Sequence, residues 1–333
     1  MKTIVAIAGL AMTASFATSA LATELRLSVE TPPGHVRNLA AEKWAEIIAE
    51  KSNGEMTVTV FPAAQLYKGP DAVRALASGA LDMSIQANAT MSRFEPNLAV
   101  TLLPMFYGAD ALTVREILDG PLGDELWAKV EAKGIVVPDG GQFEYASQNT
   151  AYTTSKVVAS YGDLEGVKLA TPPSPILVGA LKAMGALPQA TPRSEIVLQL
   201  TQGQIDGLGG VTDLTISGGK LWEAGIANAF ADNSGWGFYF PLVSKATMAK
   251  LSAEEQAIVN ESWDEVVAWA RVYSLDEAAK ARSVNEANGV TYHDASAEEL
   301  AGMRDKLLGA QDGIIEAAGM DADFVARVAD ALN

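Results

Sequence analysis

The chain has 333 residues, 49% of them hydrophobic, and a formal charge of −17. So acidic a surface repels nucleic acid and anionic lipid, and neither is an expected partner. There is no cysteine and there are only two histidines, His35 and His293. Disulfides, thiolate nucleophiles and Zn–Cys or Fe–S sites are therefore excluded, a His-rich metal site or a Ser-His-Asp triad has almost no material, and no cofactor is expected.

Met1-Lys2 gives a short positive start, residues 4 to about 16 are apolar, and Ala20-Leu21-Ala22 carries the small-x-small pattern of a signal-peptidase site. The apolar run is shorter than the ~20 residues a bilayer span needs. Residues 1–22 are expected to be a cleaved export signal, which leaves roughly 310 residues, room for two domains of about 150 each. No later stretch is long and apolar enough to span a bilayer, so no membrane insertion of the mature chain is expected.

Leu25, Leu27 and Val29 alternate as in a strand, and Thr31-Pro32-Pro33-Gly34 breaks it. Ala40, Trp44, Ile47 and Ile48 fall on one helical face. Asn53-Gly54 turns the chain into a second strand over 56–61, followed by a helix over about 71–78 and a strand over 81–85. This alternation predicts an α/β fold with a mostly parallel sheet. Ser78-Gly79-Ala80-Leu81-Asp82 is echoed by Gln202-Gly203-Gln204-Ile205-Asp206: a helix end, a Gly cap, a spacer, an apolar residue and an Asp entering a strand. Chance or two related α/β lobes explain the echo. In the second case a cleft between the lobes is the natural ligand site. Ser252-Ala253-Glu254-Glu255 is a capping box, and the helical pattern after it runs to about Asn288. That is roughly 50 Å, a helix spanning both lobes, unless two shorter helices break near Ser274.

Five stretches resemble the periplasmic solute receptors of tripartite ATP-independent periplasmic (TRAP) transporters, the DctP type. They are Asn53-Gly54-Glu55-Met56 through Phe61-Pro62-Ala63-Ala64-Gln65-Leu66; Ser78-Gly79-Ala80-Leu81-Asp82-Met83; Leu103-Pro104-Met105-Phe106; Asp163-Leu164-Glu165-Gly166-Val167-Lys168-Leu169; and Met184-Gly185-Ala186 through Ser194-Glu195 to Gln202-Gly203-Gln204-Ile205-Asp206-Gly207. Their order covers nearly the whole mature chain. The resemblance implies a two-lobed, periplasmic-binding-protein-like α/β fold with an interlobe cleft and a long helix spanning both lobes. The lobes are expected as 23–147 with about 236–272, and 148–235 with about 273–333. It further implies a periplasmic location, ligand enclosure by hinge closure, and delivery of a small polar solute to the small and large membrane permease subunits, without catalysis.

The sequence departs from the family at the site. The family's "G-x-K-h-R-x-P" reads here Gly166-Val167-Lys168-Leu169-Ala170-Thr171-Pro172, so Ala170 stands where an arginine would grip a carboxylate. About 20 residues earlier, Gln148-Asn149-Thr150-Ala151 offers no basic residue, and Gly210 closes a stretch where asparagine is common. The resemblance places Glu30, at the end of the first strand, in the cleft; Asp232, Asn233 and Trp236 follow a segment that lines it, and Gln86 is also taken as a ligand contact. Acid plus aromatic suits a small cation, so an amine, or a neutral polyol, is the favoured ligand. Against this, Arg193 is a candidate anion reader, and an organic acid bound through it is the alternative. A hydrolase using Glu30 and Asp232 as acid and base is the third reading. Phe143-Glu144-Tyr145 forms a further polar-aromatic cluster near the lobe crossing.

Overall fold

The structure, a computed structural model, describes residues 22–332; the export signal expected over residues 1–22 lies outside them except for Ala22. Among the described residues no helix is long and apolar enough to cross a membrane.

Two six-stranded sheets organise the chain. The first contains β1 (Thr23–Ser28), β2 (Met56–Phe61), β3 (Met83–Ala87), β4 (Ile135–Val136), β5 (Phe143–Gln148) and β11 (Gly235–Ser244). The second contains β6 (Ala151–Thr153), β7 (Lys168–Thr171), β8 (Leu187–Ala190), β9 (Gly207–Leu208), β10 (Asn228–Ala231) and β12 (Thr291–Asp294). The first runs in the order β2-β1-β3-β11-β4, with β5 on β11; the second runs β12-β10-β6-β9-β7-β8. β1 pairs in parallel with both β2 and β3, and β7 with both β8 and β9, as the alternating sequence predicts. The strands that cross between lobes enter antiparallel: β11 on β3 and β5, and β6 on β9 and β10. Both sheets are therefore mixed, because a strand returning from the other lobe arrives in the opposite direction.

The sequence echo has a structural counterpart. Gly79 and Gly203 both take left-handed backbone after a helix, with φ of 78° and 66°. Asp82 accepts the backbone N–H of Arg26 on β1 (3.0 Å), and Asp206 accepts that of Lys168 on β7 (2.8 Å). Each aspartate thus ties the start of its strand to a neighbouring one, once in each sheet.

The capping box is formed: Ser252 Oγ accepts from the Glu255 amide (3.2 Å), and the Glu255 carboxylate accepts from the Ser252 amide (2.7 Å). One unbroken helix, Ala253–Ala287, follows. Its 35 residues span about 52 Å at 1.5 Å each, and there is no break at Ser274. The helix Val36–Lys51 packs on it through Trp44 and Trp263, whose rings lie 4.8 Å apart. Trp44 donates to the Val259 carbonyl and Trp263 to that of Gly141, so both buried indoles are satisfied. The C-terminal helix Ala322–Ala331 returns to the first sheet's side, burying Phe324 and Val328 in one core with Leu98, Leu126 and Val130.

Candidate functional site

In an α/β sheet the strand ends that carry the loops are where ligands sit. Five strands of the two lobes aim their carboxyl ends at one place. Glu30 follows β1, Ala87 ends β3, Pro172 and Pro173 follow β7, Thr191 follows β8, and Gly210 follows β9; all line one cavity of about 60 Å³. Glu30, Arg193, Ile196 and Thr215 also line an adjoining outer chamber of about 320 Å³.

Among the described residues, three side chains of fixed charge line the inner chamber: Arg37, Arg193 and Glu30. Arg37 lies in the first turn of helix Val36–Lys51, and its side chain is 2% exposed. Its Nη2 donates to Glu30 Oε1 at 3.1 Å, Nη1 to the Ile85 carbonyl at 3.4 Å, and the guanidinium lies 4.9 Å from the centre of the Tyr239 ring. Its Nε is buried with no acceptor. Glu30 Oε2 accepts from the Gly69 amide at 3.0 Å. A Cβ at Gly69 would stand 2.7 Å from that oxygen, so a larger residue there would push the carboxylate away from the amide. Arg193 opens a short 3-10 turn, Arg193–Glu195, from the second lobe. Its neighbour Glu195 takes Lys68 Nζ of the first lobe at 2.7 Å, an exposed ion pair across the mouth. Behind the chamber, burial and the charges of Arg193 and Arg37 push His35 well below the usual imidazole range. His35 Nδ1 accepts from the Arg37 amide at 3.1 Å and caps the helix that carries it.

Of the residues singled out from sequence, Glu30, Arg193 and Gly210 line the cavity. The others lie elsewhere. Ala170 is buried in the second lobe's core between β8 and β9, and no arginine replaces it on β7. Gln86 is buried in β3, with its amide nitrogen on Ser84 Oγ (2.7 Å).

Gln148 ends β5, and Asn149, Asp232 and Asn233 belong to the two short crossings that link β5 to β6 and β10 to β11. Asn149 Oδ1 accepts from the amides of Asp232 and Asn233, both at 3.2 Å. The Gln148 carbonyl accepts from the Ser234 amide (2.8 Å), and Asn233 Oδ1 accepts from the Ser147 hydroxyl (2.7 Å). Asp232 accepts from the Thr150 amide and hydroxyl and from Tyr161, while burial raises its pKa. Trp236 donates its indole N–H to the Ala109 carbonyl (2.7 Å) and packs on the first lobe's core.

The acid-plus-aromatic cation site is thus corrected. Its aspartate is held by Thr150 and Tyr161, its tryptophan packs on the first lobe's core, and the charge of its glutamate is met by Arg37. A Glu30–Asp232 acid–base pair is excluded too, because one carboxylate is in the cleft and the other is among the crossing strands. Glu144, in the unplaced aromatic cluster, is buried against Arg115, and Phe143 packs between Tyr239 and Trp263.

The sequence reading missed Arg37. It shares a helical face with Ala40, Ala41, Trp44 and Ile48, all buried. An arginine on a buried stripe is itself a signal, since a guanidinium is almost never buried without a partner.

A family model described as bacterial extracellular solute-binding protein, family 7 (DctP), matches residues 27–314. The chain belongs to this family. As a member it is a solute-binding protein of the TRAP type and not an enzyme. It is 27% identical over 315 residues to the C4-dicarboxylate-binding periplasmic protein DctP of Rhodobacter capsulatus, covering 92% of this chain and 91% of that one. It is 30% identical over 238 residues to the uncharacterized protein y4mM of Sinorhizobium fredii, covering 71% of this chain but only 42% of that longer protein. The fold is similar to that of a sugar acid binding protein of Advenella mimigardefordensis in complex with galactonate, with a TM-score of 0.84 at 22% identity. That likeness covers 93% of this chain and 97% of the other. The two-lobed architecture of these DctP proteins is the one described above.

Proposed function

We propose that this DctP-family receptor binds a small organic acid, with the carboxylate held by Arg193 of one lobe and Arg37 of the other. The observation that supports it most is that two guanidinium groups, one from each lobe, line a single cavity whose only fixed negative charge, among the described residues, is Glu30. A guanidinium offers paired N–H donors matched to a carboxylate, and burial in the cleft strengthens the attraction. Because each lobe contributes one cation, an anion between them stabilises the closed form over the open one, and closure follows from differential affinity. The relatives that bind a C4-dicarboxylate and galactonate fit the same ligand class. The arginine absent at Ala170 is replaced in role, though not in position, by these two. An amine is disfavoured, since the cleft carries a net positive charge.

In this reading the mature chain works in the periplasm after removal of residues 1–22. The loaded, closed form is handed to the two membrane subunits of a TRAP permease. The hinge comprises the crossings at 149–150 and 232–234 together with helix Ala253–Ala287. The lobes divide as 23–147 with about 236–272 against 148–235 with about 273–333. Strand membership supports that division, while the helix Ala322–Ala331 straps back onto the first lobe.

The test is a thermal-shift screen over carboxylates, amines and polyols, followed by titration calorimetry on Arg193→Ala. Stabilisation by a carboxylate, lost by roughly tenfold or more in affinity in Arg193→Ala, is the expected result. Stabilisation by amines or polyols alone, unaffected by that substitution, refutes the ligand class.

A further inference from the structure

We propose that Glu30 is a charge selector: it holds the cleft to a single net positive charge and so favours monoanionic acids over short dianions. The inference rests on the reading of the cleft as a carboxylate site. Among the described residues, two arginines and one glutamate are the fixed charges of the inner chamber, a sum of one positive charge for the ligand to meet. The remaining groups around it do not alter the count. Burial raises the Tyr239 phenol above its ordinary range, so it stays neutral. His35 behind it is held neutral by burial and by the two arginines. Lys68 and Glu195 at the mouth cancel each other.

The glutamate is built into the site. One of its oxygens is held by Arg37 and the other by the Gly69 amide, and its side chain is 12% exposed. The residue facing it lacks a Cβ, which permits that approach. A monocarboxylate neutralises the chamber. The second carboxylate of a short diacid, held in the same chamber, finds Glu30 and, among the described residues, no further cation. A buried charge in excess of its partners is strongly disfavoured. A cleft built from the same two arginines without Glu30 would carry two positive charges and accept a dianion.

Matched ligands that differ by one charge test this directly: malonate against malonamate, and succinate against succinamate, by titration calorimetry on the full mature chain. The wild-type protein is expected to bind each monoamide more tightly than its diacid, by roughly tenfold or more. In Glu30→Gln, which keeps the shape and removes the charge, that preference shrinks or reverses. The proposal is overturned if the wild-type protein binds diacid and monoamide equally, or if the preference persists undiminished in Glu30→Gln. Equal loss of both ligands in a folded Glu30→Gln protein also overturns it, since Glu30 would then only position Arg37. If Glu30→Gln does not fold, the wild-type pairs alone decide. A wild-type protein that binds no carboxylate overturns the acid-receptor reading as well, whereas one that binds acids without regard to charge overturns only the selector.

Discussion

Replacing Arg37 by methionine keeps an unbranched apolar stem and removes the guanidinium with its charge, and its effects on stability and on binding can be measured separately. In the unliganded protein the substitution breaks the 3.1 Å pair with Glu30 and the contact over the Tyr239 ring. Breaking a fully buried pair costs about 3–5 kcal/mol. Glu30 borders an open cleft and keeps the Gly69 amide, so less than that, about 2–3 kcal/mol, is expected, with roughly 0.5–1 kcal/mol more from the lost cation–π contact. A domain with ~5–15 kcal/mol of stability survives this. Urea unfolding of the wild type, Arg37→Met, Glu30→Gln and the double variant forms a cycle whose coupling term should be about 1–3 kcal/mol. Binding should weaken in parallel. Loss of one charge-assisted hydrogen bond to a carboxylate costs about 1.5–3 kcal/mol, or roughly 10- to 150-fold in Kd. A coupling term below about 0.5 kcal/mol, or a Kd within about threefold of wild type in a folded Arg37→Met protein, refutes the placement of Arg37 as both partner of Glu30 and reader of the ligand.

Lys68→Ala or Glu195→Ala removes the ion pair across the cleft mouth. Both are expected to leave unfolding stability unchanged while raising the ligand off-rate modestly, and the difference from wild type should vanish in high salt. Small-angle scattering should show the ligand-induced fall in radius of gyration beginning at a higher ligand concentration in these variants; an unchanged radius in every case argues against hinge closure. His35 supplies a pH dependence. Its folded pKa is lowered by burial first, then by Arg193 and Arg37. Below about pH 6.5 the unfolded chain therefore binds a proton that the folded chain refuses. Stability should fall as pH drops below that value, and His35→Asn, which keeps a capping acceptor, should flatten the slope of the urea midpoint against pH.

Much of the scaffold was legible in the sequence because it is encoded locally. The alternation of Leu25 and Leu27 specifies β1. Asn53-Gly54 specifies the turn before β2, and Ser252 with Glu255 the start of the long helix. The echoed Gly-x-apolar-Asp units specify two similar strand entries. Each signal lies within a few residues of the element it forms, where backbone geometry and one-turn side-chain contacts decide the outcome. The strand over 81–85 was displaced by two residues, to Met83–Ala87, because Leu81 belongs to the turn that caps the preceding helix.

The charge of the cleft was a different matter. Glu30 reads as a cation's partner until the fold places Arg37 against it, and Asp232 reads as a cleft residue until the fold surrounds it with Thr150 and Tyr161, 82 and 71 positions away. Ala170 marks where an arginine is missing, but nothing local says that Arg193 and Arg37 meet at one cavity from two lobes. The sign of a binding site is a sum over groups that converge in space. Coulomb energy depends on separation in space and on burial, neither of which is written in sequence order, so the tertiary structure alone decided it.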